Sequence, residues 1–243
     1  MTERENDLIE NERLTRRRSL LRLAGIAAAA GGGAAWRLES AESADAAGSG
    51  PRAVSSGLVA CVLTPELTEG PYYVAGEKLR RNITEGKPGT PLLLGLTVLN
   101  ASTCKPVRNA AVEIWHCDAL GVYSGAVAGS PGTNFLRGVQ KTNASGVATF
   151  QTLYPGWYRG RAVHIHVKVH VGGSVVHTGQ LFFPAAVTNA VYQKAPYSGH
   201  GTTPDTLNAD DSIFRNGGNK GMLALKKTAT GYGGSIRMGV HVS

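Results

Sequence analysis

The stretch Ala162-Val163-His164-Ile165-His166-Val167-Lys168-Val169-His170-Val171 decides the fold. Apolar side chains at 163, 165, 167, 169 and 171 alternate with His164, His166, Lys168 and His170 in a strict period of two. Successive strand residues face opposite sides, so residues 162–171 are expected to form a β-strand. Gly172-Gly173 supplies a two-residue hairpin turn, and residues 175–183 are expected to return beside that strand. Outward from this hairpin, further short apolar runs occupy 92–99, 110–116, 147–153 and 235–242. They are separated by turn signals such as Pro106 and Asn143-Ala144-Ser145-Gly146. Six or more such strands predict an all-β protein built as a β-sandwich. A Gly/Pro-punctuated arm, 64–91, precedes them. Residues 185–234 form a loop-rich C-terminal region with one expected short helix around 219–227.

The first 47 residues read differently from the rest. Arg16-Arg17-Arg18-Ser19-Leu20-Leu21-Arg22 fits a twin-arginine export signal, followed by a Gly/Ala-rich stretch too short to span a bilayer comfortably. Ala44-Asp45-Ala46 offers a small-x-small cleavage site. The expected organisation is a signal and linker over 1–47 and one catalytic domain over 48–243. The expected partner at this end is the twin-arginine machinery, with no stable membrane insertion after cleavage and a periplasmic, cell-surface or extracellular (secreted) destination.

The whole chain of 243 residues carries a net charge of +8, and residues 48–243 hold 18 Lys/Arg against 9 Asp/Glu. Those bases are scattered, with no longer run than Arg80-Arg81 or Lys226-Lys227 and no helix-turn-helix or RNA-binding signature. Nucleic acid is therefore not an expected partner. Cys61, Cys104 and Cys117 are too few for a disulfide scaffold and lack zinc-type spacing. Cys104 and Cys117 are expected to lie apart, which makes Cys61 the natural partner if a bridge forms.

His164 and His166, two apart on a strand, share a face and can reach one metal ion. The bland reading is a polar, solvent-facing strand surface. A cupin-type site needs a glutamate soon after, and none follows. Tyrosines stand near instead: Tyr158 six residues before His164, and Tyr123 just past the end of the 110–116 strand. Tyr154 is the rival to Tyr158. Tyr72, Tyr73 and Trp157 suit either a pocket wall or core filling. His170 and His177 are expected at the surface, and His116 as a satisfied supporting group.

In order along the chain stand Thr68-Glu69-Gly70-Pro71-Tyr72-Tyr73, Ile114-Trp115-His116, Gly121-Val122-Tyr123-Ser124, Phe135-Leu136-Arg137-Gly138, Pro155-Gly156-Trp157-Tyr158, Arg161-Ala162-Val163-His164-Ile165-His166 and Gln180-Leu181-Phe182-Phe183. Jointly they resemble the intradiol ring-cleavage dioxygenases, the family of catechol 1,2-dioxygenase and protocatechuate 3,4-dioxygenase. The resemblance implies a mixed β-sandwich of the prealbumin-like type. It implies iron(III) held by Tyr123, Tyr158, His164 and His166, with Arg161 and Gln180 as active-site residues and Tyr158 as the ligand that departs to take a substrate proton. The implied substrates are an aromatic diol and O2, and the implied product is a cis,cis-muconate. The insert between the second tyrosine and the first histidine is only residues 159–163, and no helical N-terminal dimerisation segment is evident. Both features point to an exported branch of the family. The competing class is a β-sandwich binding module that reuses the fold without metal.

Overall fold

The computed structural model describes residues 63–125 and 132–242. The expected export signal at 1–47 and Cys61 lie outside them. Eight strands form two sheets: β1 (Pro91–Asn100), β2 (Ala111–Trp115), β3 (Arg137–Lys141), β4 (Val147–Leu153), β5 (His164–Val171), β6 (Ser174–Phe182), β7 (Ala224–Lys227) and β8 (Tyr232–Val240). One sheet has the order β4-β1-β8-β7 and the other β3-β2-β5-β6. β1 and β8 run parallel while every other pairing is antiparallel, so the sandwich is mixed.

Leu92, Leu94, Leu96 and Val98 of β1 meet Ile165, Val167 and Val169 of β5 in one core, with Phe150, Met238 and Val240. Complete burial of each such side chain contributes about 1.5–3 kcal/mol. The alternation along β5 thus marks the core face correctly, but its polar face is not solvated. His164, His166 and Lys168 are buried as well. That second face is covered by the arm preceding β1 and by the loops carrying Tyr123 and Tyr158. There Trp115, Cys117 and Tyr123 pack with Tyr72, Tyr73 and Tyr158.

The arm is held by backbone bonds to both sheets, from Thr64 N to Gly239 O (2.9 Å) and from Leu67 N to Thr178 O (2.9 Å). Cys104 is disulfide-bonded and Cys117 is a buried free thiol, so the two do not pair.

The C-terminal region departs from expectation. The expected helix around 219–227 is a short 3-10 turn, Gly218–Gly221, followed by β7. Glycines there favour no helix, and Ala224–Lys227 completes a sheet edge against β8 instead. Helices occur elsewhere, at α1 (Ala185–Tyr192) and α2 (Ser212–Arg215). His177 is buried rather than exposed, because β6 turns that side chain inward; its Nε2 has no hydrogen-bond partner. Among the described residues, no helix is long and apolar enough to cross a membrane.

Candidate metal centre

β5 is an interior strand of its sheet, and register fixes what flanks its histidines. His166 stands opposite Trp115 on β2 and Gln180 on β6, and His164 opposite Phe182. The indole of Trp115 lies flat on the imidazole of His166, centroids 4.9 Å apart and 4° from parallel. His164 Nδ1 sits 2.6 Å from the carbonyl of Ala162. A carbonyl only accepts, so Nδ1 carries the proton and Nε2 presents a lone pair. That Nε2 lies 3.1 Å from His166 Nε2.

The two tyrosines come from loops that lock together. Asp118 accepts from Leu120 N and Val122 N, both at 3.0 Å, closing the turn that aims Tyr123 inward. Gly156 N donates to Asp118 O at 3.0 Å, and any side chain at Gly156 would fall 2.4 Å from that oxygen. The Pro155-Gly156 turn therefore seats directly on the first loop and brings Tyr158 to Tyr123, ring centroids 5.6 Å apart. Tyr158 Oη reaches within 3.4 Å of His164 Nε2. Tyr154, the rival, bonds Thr188 at 2.8 Å and packs on Phe183 in the main core, away from the pair.

Arg161 spans the rim of this cluster. Its Nη1 donates to Tyr158 Oη at 3.3 Å, its Nη2 to Gln180 Oε1, and its Nε to Asp211 Oδ2 at 2.9 Å. Gln180 Nε2 donates in turn to Thr68 O at 2.9 Å, so its amide is tied at both ends. Burial alone would raise the Asp211 carboxyl, but the Ala162 N–H and Arg161 hold it below its ordinary range.

Burial, with Arg161 adding to it, pushes the His164 imidazole down to about 3. Burial and His164 drive His166 well below its usual value. Both rings are neutral donors near neutral pH. Burial, followed by Cys117 and Tyr158, raises the Tyr123 phenol far above its ordinary value. Burial also takes Tyr158 up to about 12, against the lowering pull of Arg161.

One buried donor lacks a protein partner, as an ion-binding site requires: Tyr123 Oη has no hydrogen-bond partner. Two imidazole nitrogens each about 2.1 Å from one ion, at a right angle, would stand about 3 Å apart. The observed 3.1 Å between His164 Nε2 and His166 Nε2 fits that demand. Among the described residues no group of three or more His, Cys, Asp or Glu converges. The candidate donor set is two phenols and two imidazoles, without the carboxylate or thiolate of the commoner centres. Phenolate oxygen is a hard donor suited to a trivalent cation.

Of the sequence-derived candidates, Tyr123, Tyr158, His164, His166, Arg161 and Gln180 all meet here. Sequence reasoning missed Asp211, fifty residues beyond Arg161. Its only local signal is that of a helix N-cap, for it accepts from Ile213 N and Phe214 N ahead of α2. His116 is the supporting group expected: Nδ1 donates to Cys117 O at 2.8 Å, and Nε2 lies 2.7 Å from the Thr152 hydroxyl.

Comparison with known proteins agrees with this architecture. A family model described as "Dioxygenase" matches residues 68–190. An intradiol ring-cleavage dioxygenase of Tetranychus urticae is 34% identical and superposes with a TM-score of 0.70, covering 74% of this chain and 95% of that one. The dioxygenase domain of a dioxygenase–carbohydrate-binding protein fusion from Streptomyces sp. SirexAA-E is 28% identical, with a TM-score of 0.58 over 74% of this chain and 99% of that one. Catechol 1,2-dioxygenase 1 of Acinetobacter lwoffii is 37% identical over 101 residues, 39% of this chain and 32% of the relative. The matched part thus spans about a third of the length of that curated relative. With the matched region running from the arm through β6 into α1, and the fold shared over nearly all of the mite enzyme, the chain belongs to the intradiol ring-cleavage dioxygenase family.

Proposed function

We propose that this protein is an exported iron(III) dioxygenase that opens catechol-type rings between the two hydroxyl-bearing carbons, consuming O2 and yielding a cis,cis-muconate. The observation that carries the reading is the meeting of the buried Tyr123 phenol, the half-buried Tyr158 phenol and two neutral imidazoles beneath the guanidinium of Arg161.

Tyr123, Tyr158, His164 and His166 would hold the ion. Ferric iron there would supply Lewis acidity, favouring phenolate over phenol and binding both oxygens of an aromatic diol. The protein's own residues supply the remainder. Tyr158 Oη, 3.3 Å from Arg161 Nη1, is the atom suited to take a proton from the incoming diol. Its raised proton affinity keeps that proton once acquired. Tyr123, deeper and without a hydrogen-bond partner, stays in place. Arg161 faces the negative charge that grows on the ring and its oxygens as the ring is attacked. Gln180, bound to Arg161 and Thr68, fixes the plane of that guanidinium. Export by the twin-arginine route completes the proposal and rests on Arg17-Arg18-Ser19-Leu20-Leu21.

The test is direct. Protein purified with iron should bind one equivalent per chain, be visibly coloured by its phenolate ligands, and take up O2 with catechol, protocatechuate, hydroxyquinol or lignin-like catechols. Colourless protein that takes up no iron would support the metal-free binding module instead.

A further inference from the structure

We propose that Asp211 is a positioning residue for the ring-cleavage site, holding Arg161 and the His164 ring in their working orientation from a separate part of the chain. The inference rests on the functional reading above. Asp211 is 1% exposed, and its two carboxylate oxygens divide their work. Oδ1 accepts from Ile213 N at 2.7 Å and Phe214 N at 3.2 Å, the capping bonds of α2. Oδ2 accepts from Arg161 Nε at 2.9 Å and Ala162 N at 2.8 Å. The first pair anchors the carboxylate to the C-terminal region. The second pair acts on the site.

Two consequences follow from the second pair. With Nε bound to Asp211, the planar guanidinium has one orientation left, and that orientation delivers Nη1 to Tyr158 Oη and Nη2 to Gln180. The bond to Ala162 N also fixes the backbone whose next carbonyl receives His164 Nδ1 at 2.6 Å. Asp211 thus steadies the proton-bearing side of His164 and, with it, the direction of the Nε2 lone pair. Carboxylates that orient ligating groups in this way are typically worth about 10–100-fold in metal affinity or activity.

Asp211→Asn separates capping from positioning. An amide oxygen caps a helix as well as a carboxylate does. The amide nitrogen left facing Arg161 and Ala162 cannot accept, so only the second pair is lost. In iron-loaded protein, Asp211→Asn should lower kcat about 10–100-fold with KM little changed. It should also shift the phenolate absorption band of the resting protein, because Arg161 no longer sits squarely on Tyr158. In an Arg161→Ala background the same change should lower kcat by a smaller factor than in wild type, since only the route through Ala162 and His164 is left. In metal-free protein, the two substitutions should be non-additive in thermal midpoint, which reads the pair without reference to iron. Asp211→Ser, which also caps, serves as the second variant if the amide disturbs folding.

Wild-type kcat and band in both variants, beside an active wild-type enzyme, would overturn this inference alone. So would an equal loss with and without Arg161. A wild type that takes up no iron would overturn the functional reading and this inference with it.

Discussion

The ring of Tyr72 lies on the ring of Tyr123, with centroids 4.3 Å apart and planes 9° from parallel, and meets Tyr158 edge-on at 5.6 Å. A residue of the arm preceding β1 therefore touches both candidate phenolate ligands. Tyr123→Phe should shift or weaken the phenolate-to-iron absorption of loaded protein, with Tyr158 left as the remaining phenolate. Tyr72→Phe should leave it in place, because the stack survives. Tyr72→Ala should shift the band and lower stability by at least about 0.5–1.5 kcal/mol, the worth of an aromatic pair beyond the area it buries. Absorption spectra of the three variants at equal iron content decide this, and a colour indifferent to Tyr123 would refute its assignment.

Arg161→Ala should retain iron and colour, because all four donors remain, and should still change colour on adding catechol. Its turnover should fall about 10²–10³-fold, the usual cost of losing a donor aimed at developing charge. Arg161→Lys should recover only part, since a point charge on a flexible stem replaces a planar fork that binds three partners. Single-turnover kinetics would expose the error if Arg161→Ala reacted at the wild-type rate.

Gly70, in the arm, has φ +74°, and a Cβ there would lie 3.1 Å from His166 Cε1. Gly70→Ala pushes a methyl group against the ring of His166, a proposed ligand that Trp115 already backs on its face. Backbone strain alone should cost about 1–3 kcal/mol of stability. Iron affinity should fall alongside. Thermal midpoints with and without iron measure both, and the stabilisation by iron should be smaller in the variant than in wild type.

Acid should destabilise the metal-free protein through its buried histidines. Burial holds both His116 and His177 down to about 4, against about 6.5 in an unfolded chain. Between those values the unfolded chain binds protons that the folded one refuses. The stabilising effect is complete above about pH 6.5 and is lost as pH falls toward 4, at about 1.4 kcal/mol per unit for each histidine. Urea midpoints across that range should slope accordingly, and His177→Leu should flatten the slope. An unchanged slope would mean that His177 is protonated in the folded state.

Export should depend on the paired arginines. Arg17→Lys combined with Arg18→Lys should leave folded, iron-loaded precursor inside the cell, because the signal is read by machinery for folded cargo. Immunoblots of cell and medium fractions would refute this by showing undiminished mature protein outside.

Much of the candidate site was legible because three of its four proposed ligands, Tyr158, His164 and His166, are local in sequence. The period-two pattern of β5 put His164 and His166 on one face, and Tyr158 stands six residues away. The same pattern could not show that the polar face is buried, because what covers it comes from Tyr72, Tyr73 and Tyr123, far back in the chain. β3, Arg-Gly-Val-Gln-Lys, has too little apolar character to announce a strand, and is one because β2 pairs with it. α1 begins after Pro184 without a side-chain cap, so the usual start signal is absent. Asp211 escaped for the same reason in stronger form. Its helix cap is readable from neighbours, but its ion pair joins two segments fifty residues apart.

β8 follows every other strand in the chain yet lies inside its sheet, between β1 and β7. During synthesis, β1 is thus left with one open edge until residues 232–240 emerge, and Met238 and Val240 reach the core only then. At about 5–20 residues per second, the ribosome exposes that edge for several seconds. An unpaired edge of that kind is a template for pairing with other chains. A premature stop shortly before residue 232 should consequently give aggregation and not a smaller enzyme, even though every proposed ligand has already been made.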